Sequence, residues 1–310
     1  MSSPRIAVLP SDTRPWVRSA VEEGGAQVTD VAAADALVWT DTSGVESARD
    51  LRALIDRHPH LRWIQLPWAG VETYAEEEVF DTDRVWTCGK GVYAKPVAEH
   101  ALGLAIAGLR GMKRFARAET WGDRAGGVSL VGGRVTIFGG GGITRELVRF
   151  LQPYECRITV VRKHPRPMEG VDEVVEFDRR YEALKGADAV FLALSLTPET
   201  TGMISEIELE VMEPHAWLVN VARGEHVVTE DLVIALRGDV IGGAALDVTD
   251  PEPLPDGHPL WKLPNCLISP HTANTEATEK QYLSHRLTEN VKRFAAGRDL
   301  LGPIDPALGY

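Results

Sequence analysis

The chain has 310 residues, of which 44% are hydrophobic and 25% charged, with a formal net charge of -12. That length suits two modest domains or one large one, with enough apolar residues for a substantial core. The acidic balance argues against a nucleic-acid or anionic-membrane surface, and it means that an anionic substrate needs a local cation to hold it.

In chain order, residues 5–9, 36–40 and 62–66 read as buried strands, with helices near 14–23 and 47–57 between them. This alternation indicates a first parallel α/β unit. The run Pro67-Trp68-Ala69-Gly70-Val71 follows the third strand directly, where open α/β sheets place ligands, though a plain turn with a packed tryptophan accounts for it equally. Pro96 occupies a plausible first helical position. Ala98, Ala101, Leu102, Ala105, Ile106, Leu109 and Met112 then recur at helical spacing, predicting a long helix near 98–118 that crosses between domains. Glu99 and His100 within it read as a solvated or interface face.

Residues 133–162, GRVTIFGGGGITRELVRFLQPYECRITVVR, carry the strongest local signal. An apolar run (135–138) leads into Gly139, Gly140, Gly141 and Gly142, then a helical segment, then a second apolar run (158–161). That is strand, tight turn, helix, strand. Glycines there let the backbone approach a diphosphate, and the helix N-terminus offers N–H groups and positive dipole to the anion. A glycine run alone is also compatible with a flexible loop. The third glycine of the G-x-G-x-x-G fingerprint falls on Thr144, which is expected to space the helix off its strand.

Further strands are predicted near 172–176, 188–193, 216–220, 240–246 and 266–269, with helices near 179–185, 205–212 and 228–237, which fits a doubly wound sheet. A five-proline loop (250–264) reads as a structured functional loop. The last helix, about 276–296, places Leu283, Leu287, Val291 and Phe294 on one face and stops at Gly297. Cys88, Cys156 and Cys266 form no C-x-x-C pair, so buried thiols and no metal site are expected. No charged-then-apolar leader is visible, and the most apolar helix, near 101–109, is too short to span a bilayer. A cytoplasmic protein is expected, with neither nucleic acid nor membrane as a partner.

Three polar residues stand after predicted strands. They are Arg223 after 217–222, Glu252 in the proline-rich loop and His271 after 267–270. Singly, they read as a surface arginine, a loop carboxylate and a helix-capping histidine. Together, at the carboxyl ends of strands in one sheet, they supply an anion clamp, a charge partner and a proton donor.

The runs LSLTPETTGMISEIELEVMEPHAWLVNVARG (194–224), ALDVTDPEPLP (245–255) and HPLWKLPNCLISPHTANT (258–275) resemble the D-isomer-specific 2-hydroxyacid dehydrogenases. GVYAKPVAEHALGLAIA (91–107) resembles that family's inter-domain helix and AGVE (69–72) its substrate loop. The resemblance covers nearly the whole chain. It implies an α/β protein with a doubly wound parallel (Rossmann) dinucleotide-binding domain over 98–275. A smaller flavodoxin-like α/β substrate domain would combine 1–97 and 276–310. By the same resemblance Arg223 binds the substrate carboxylate, His271 donates a proton to the carbonyl oxygen, and Glu252 holds the imidazole. Ala69, Gly70 and Val71 would take the other side of the carboxylate. Gly139, Gly141, Gly142, Ile143, Thr197, Pro198, Val221, Ala222 and Asn274 would line the cofactor, together with Arg223 and His271. Asp247 would meet the nicotinamide carboxamide.

The second strand of such a βαβ unit normally ends in an acidic residue that accepts from the adenosine ribose hydroxyls. This chain has Arg162 there, followed by Lys163, His164 and Arg166, so NADP(H) is favoured over NAD(H). The implied activity is reduction of a small 2-keto acid such as glyoxylate, hydroxypyruvate or a phenylpyruvate-like acid. A phosphoglycerate dehydrogenase-like enzyme and a dinucleotide-sensing corepressor-like binding protein are the alternatives, and Glu252 disfavours a formate dehydrogenase. The helix near 98–118 and Trp121 imply a homodimer. Gly142 replaces the commoner arginine of the turn, and Lys90, Tyr93 and Lys95 leave the substrate open.

Overall fold

A computed structural model describes residues 3–11, 14–121 and 126–306. The chain forms two compact units, Met1–Tyr93 with Thr275–Tyr310, and Ala94–Asn274. In sequence, the second unit is therefore inserted within the first.

The first unit opens with β1 (Arg5–Leu9), α1 (Pro15–Glu23), β2 (Gln27–Val28), β3 (Ala36–Trp39), α2 (Val45–Arg57), β4 (Trp63–Gln65), α3 (Glu72–Glu76) and β5 (Val85–Thr87). Its strands make one parallel sheet in the order β2-β1-β3-β4-β5. That 2-1-3-4-5 order is flavodoxin-like. β3 and β4 are buried at every position, which is why they read as unbroken apolar runs. β2 and β5 escape the sequence reading because two and three residues are too few to show a pattern.

The second unit contains α4 (Ala94–Leu109), α5 (Met112–Phe115), β6 (Arg134–Phe138), α6 (Gly142–Leu151), β7 (Arg157–Val161), β8 (Glu173–Val175), α7 (Arg180–Leu184), β9 (Ala189–Leu192), α8 (Glu206–Val211), β10 (Trp217–Asn220), α9 (Thr229–Arg237), β11 (Gly243–Leu246), α10 (Pro259–Lys262) and β12 (Cys266–Ile268). All its strands are parallel, in the order β12-β11-β10-β9-β6-β7-β8. Counted from β6, this is the 3-2-1-4-5-6 Rossmann order with a seventh strand added. The direction of winding reverses between β6 and β9, where such sheets bind dinucleotides.

The predicted helix over 98–118 is corrected here. α4 begins earlier, at Ala94, and ends at Leu109, because Gly111 turns the chain with φ of 65° before the short α5. The buried face of α4 is built from small residues, Ala98, Ala101 and Ala105, which let it lie close against α6 and β10.

The chain returns to the first unit as α11 (Glu276–Ala295), which is capped by Thr275 and packs on α1. Leu283, Leu287 and Val291 are buried there, and Thr288 Oγ1 donates to the Ala20 carbonyl at 3.0 Å. A buried polar chain ties α11 to the sheet. Asn290 Nδ2 donates to Gln65 Oε1 at 3.0 Å, and Gln65 Oε1 also accepts from Thr87 Oγ1 at 2.8 Å. Among the described residues, no helix is long and apolar enough to cross a membrane.

Candidate active site

The glycine turn joins β6 to α6 at the switch point of the second sheet. Gly139 has φ of 106°, and a Cβ there would stand 2.2 Å from the Ala193 carbonyl oxygen beyond β9, so only glycine fits. Gly141 caps α6 in an extended conformation, and Gly142 is its first residue, with Ile143 half-buried behind it. Thr144 does not hold the helix away from the strand. Its side chain is fully buried and its hydroxyl donates to the Gly139 carbonyl at 3.0 Å, fastening α6 to the turn.

Arg162 follows β7, its backbone N–H bonded to Val175 O at 3.0 Å, and its guanidinium lies against the turn. A Cβ on Gly140 would be 2.9 Å from Arg162 Cζ. Lys163 next to it is exposed. Thr197 and Pro198 belong to the loop after β9, which closes on itself through Thr197 N–H to Thr200 Oγ1 at 2.8 Å. Beneath that loop, the fully buried His226 sits 2.9 Å from Thr200 O through Nδ1, and burial holds its pKa below the ordinary value. Val221 and Ala222 are buried directly after β10.

Arg223 follows them, its Nη1 donating to Ala222 O at 2.7 Å while Asn220 Nδ2 donates to the Arg223 carbonyl at 2.8 Å. Gly224 lets this backbone touch the loop after β11, since a Cβ there would stand 2.0 Å from the Thr249 carbonyl carbon. That loop carries Glu252, whose Oε1 is 2.6 Å from His271 Nδ1. The short contact has two electrostatic consequences. The carboxylate's hydrogen bond raises the imidazole pKa above its ordinary value, while the imidazole lowers that of Glu252. Arg223 acts on both, lowering each pKa through its charge. With Nδ1 given to Glu252, His271 keeps Nε2 for chemistry.

His271 has φ of 51°, a left-handed conformation unusual for any side chain but glycine. Asp247 maintains it. The Asp247 carbonyl accepts the His271 N–H at 2.8 Å. Its Oδ1 accepts the Thr272 N–H at 2.9 Å and its Oδ2 the Ala273 N–H at 3.1 Å. Burial alone would raise the Asp247 pKa, but donors from His100, Ser269, Thr272 and Ala273 outweigh it, and the group stays ionised. Asn274 follows in the same loop, half-buried.

His100, expected on a solvated or interface face, is partly exposed, and its Nε2 lies 2.9 Å from Ser269 Oγ and 3.3 Å from Asp247 Oδ1. Nothing in helical periodicity could reveal a partner 169 residues away.

Ala69, Gly70 and Val71 lie in the other compact unit, after β4 and at the cap of α3, with Val71 buried. Beside them Tyr93 donates its hydroxyl to Pro67 O at 3.0 Å, and its ring stands 5.9 Å from that of Trp68. Trp121 is 90% exposed.

Comparison with known proteins gives concordant results. A family profile, D-isomer specific 2-hydroxyacid dehydrogenase, NAD binding domain, matches residues 101–273. A protein from the proB 3′ region of Corynebacterium melassecola is 36% identical over 260 residues, covering 82% of this chain and 86% of its own. The human glyoxylate reductase/hydroxypyruvate reductase is 35% identical over 177 residues, 57% of this chain, and the match spans only 52% of the human protein. Among solved structures, a D-isomer specific 2-hydroxyacid dehydrogenase from Xanthobacter autotrophicus Py2, in complex with NADPH and MES, superposes over all of both chains with a TM-score of 0.85 at 24% identity. The chain belongs to the D-isomer-specific 2-hydroxyacid dehydrogenases, a family of nicotinamide-dependent oxidoreductases.

Proposed function

We propose that the protein is an NADPH-dependent reductase of small 2-keto acids, with Arg223, Glu252 and His271 as its catalytic residues. The observation that carries this reading is the 2.6 Å pair of His271, in the loop after β12, and Glu252, in the loop after β11 that touches the backbone at Gly224 next to Arg223, all at the carboxyl ends of adjacent strands. The second unit suits a nicotinamide dinucleotide. Gly139 lets the turn pack against the chain after β9, Gly141 leaves the space beside the turn open, α6 presents its N-terminus to a diphosphate, and the Arg162 guanidinium beside Gly140, with Lys163 next to it, matches a 2′-phosphate. Ile143, Thr197, Pro198, Val221, Ala222 and Asn274 line the rest of the cofactor site. Asp247 Oδ2, with Ala273 N as its donor, can accept the carboxamide N–H as well. When bound, the cofactor supplies the hydride chemistry.

The side chains do the remainder. Arg223 holds the substrate carboxylate with paired N–H groups, which a lysine could not offer. His271 Nε2 gives its proton to the carbonyl oxygen during reduction and recovers it in the reverse direction. Glu252 keeps the proton on Nδ1 and the imidazole aligned. Backbone N–H groups at Gly70 and Val71, beside Ala69, hold the acid in the unit formed by Met1–Tyr93 and Thr275–Tyr310, which serves as the substrate domain. NADH is the weaker coenzyme.

The same reading makes the protein a cytoplasmic homodimer. Met112 and Phe115 of α5 and the nearby Trp121 are exposed apolar residues that an interface would cover. A sedimentation mass near one 33.9 kDa chain at micromolar concentration would count against it. A panel of 2-keto acids with both coenzymes tests the function itself. NADPH oxidation with at least one acid is expected, and none with any acid would leave a dinucleotide-binding role instead.

A further inference from the structure

We infer that His100 is a positioning residue for this reaction, acting through Ser269 and Asp247 to hold the loop that carries His271. The inference rests on the function proposed above. The direction of the hydrogen bonds is fixed by chemistry. Asp247 is ionised and can only accept, so Ser269 Oγ donates to its Oδ1 at 2.6 Å. Ser269 then has lone pairs left for His100, whose Nε2, at 2.9 Å from Oγ and 3.3 Å from Asp247 Oδ1, must be the donor. The chain therefore runs from imidazole N–H to hydroxyl to buried carboxylate.

Its two ends differ in stiffness. His100 stands on α4, whose flanking residues Ala98 and Ala101 are completely buried, so the ring has a fixed base. At the other end three consecutive N–H groups, those of His271, Thr272 and Ala273, converge on Asp247. Those bonds maintain the left-handed φ of 51° at His271, a conformation that persists only where its surroundings over-determine it. Without the Ser269 and His100 donors, only the Thr272 and Ala273 N–H groups of the loop itself hold the carboxylate, so the loop is no longer tied through Asp247 to α4 and loses the alignment that puts His271 Nδ1 at 2.6 Å from Glu252. Misplacing a catalytic group by about one ångström costs roughly a hundredfold in rate.

Three variants separate positioning from packing. His100→Leu removes the donor and keeps an apolar body, Ser269→Ala removes only the hydroxyl, and His100→Gln places an amide N–H close to the position of imidazole Nε2. His100→Leu and Ser269→Ala should lower kcat on the order of ten- to a hundredfold, whereas His100→Gln should stay near wild type. A second readout needs no turnover. The His271 imidazole pKa, followed by NMR and assigned with His271→Asn, should fall toward the ordinary histidine value in the first two variants and hold in His100→Gln. Equal behaviour of His100→Leu and His100→Gln in both readouts would overturn the inference. So would an unchanged His271 pKa in Ser269→Ala. If the wild type turns over no acid, the proposed function fails, and the NMR comparison still decides the role of His100.

Discussion

Replacing Arg162 should change which coenzyme the protein uses. Its backbone is fixed by the bond to Val175 O, and its guanidinium rests on Gly140 within the dinucleotide turn, so the charge is held at the site. A hydrogen bond to a charged group contributes about 1.5–3 kcal/mol. At roughly 1.4 kcal/mol per factor of ten, that is about ten- to a hundredfold in kcat/KM for NADPH. Arg162→Ala should lose this amount while leaving NADH nearly unaffected. Arg162→Asp should go further, because a carboxylate repels the 2′-phosphate and accepts from the ribose hydroxyls, so that NADH overtakes NADPH. Steady-state kcat/KM with each coenzyme at one fixed 2-keto acid measures the ratio. Repeating it at high salt should narrow the wild-type preference, because exposed Lys163 contributes through a screened charge. A wild type that already prefers NADH, or a ratio unmoved in Arg162→Ala, would reduce this cluster to surface charge.

Other substitutions test the catalytic set and the turn. His271→Asn should lower kcat by roughly a hundred- to ten-thousandfold while coenzyme titrations stay near wild type, and near-normal turnover would refute the acid role. In Glu252→Gln the sign follows from the pair. Glu252 raises the His271 pKa, so reduction in the wild type persists above the ordinary histidine range and fails as pH rises through the raised value. The variant should lose activity at lower pH, and an unmoved alkaline limb would contradict the assignment. Gly139→Ala combines left-handed strain of about 1–3 kcal/mol with a Cβ that meets the Ala193 carbonyl at 2.2 Å. Both a lower melting temperature and weaker coenzyme binding are expected, and an unaltered melting curve would show that the turn is looser than described.

Most strands of the second sheet are readable in the amino-acid sequence because they are buried on both faces. Ala189–Leu192 and Trp217–Asn220 admit almost nothing but apolar residues, and that is visible without a partner strand. The pattern fails where conformation depends on distant groups. Met112 continues the helical spacing of α4, yet the backbone has already turned at Gly111. Thr144 looks like a misfit in a glycine fingerprint until its hydroxyl finds the Gly139 carbonyl. Arg223, Glu252 and His271 can be singled out by their positions after strands and by family resemblance. The left-handed backbone at His271 and the bonds from Asp247 that hold it cannot, because the residues that impose them lie on other elements.

The interleaved chain has a consequence for biosynthesis. The first sheet is threaded early, but its covering helix α11 emerges only after all of Ala94–Asn274. Gln65 waits for Asn290, 225 residues downstream, to complete the buried polar chain behind β4. On the ribosome the inserted unit can therefore close its own core first, while the opening segment remains without α11, whose Thr288 and Val291 pack on Ala20 and Gly24 at the end of α1. Such long-range closure is slow, since the entropy of joining distant segments is lost before their contacts form. A chain interrupted just before α11 would carry a finished dinucleotide fold attached to a half-built, aggregation-prone sheet.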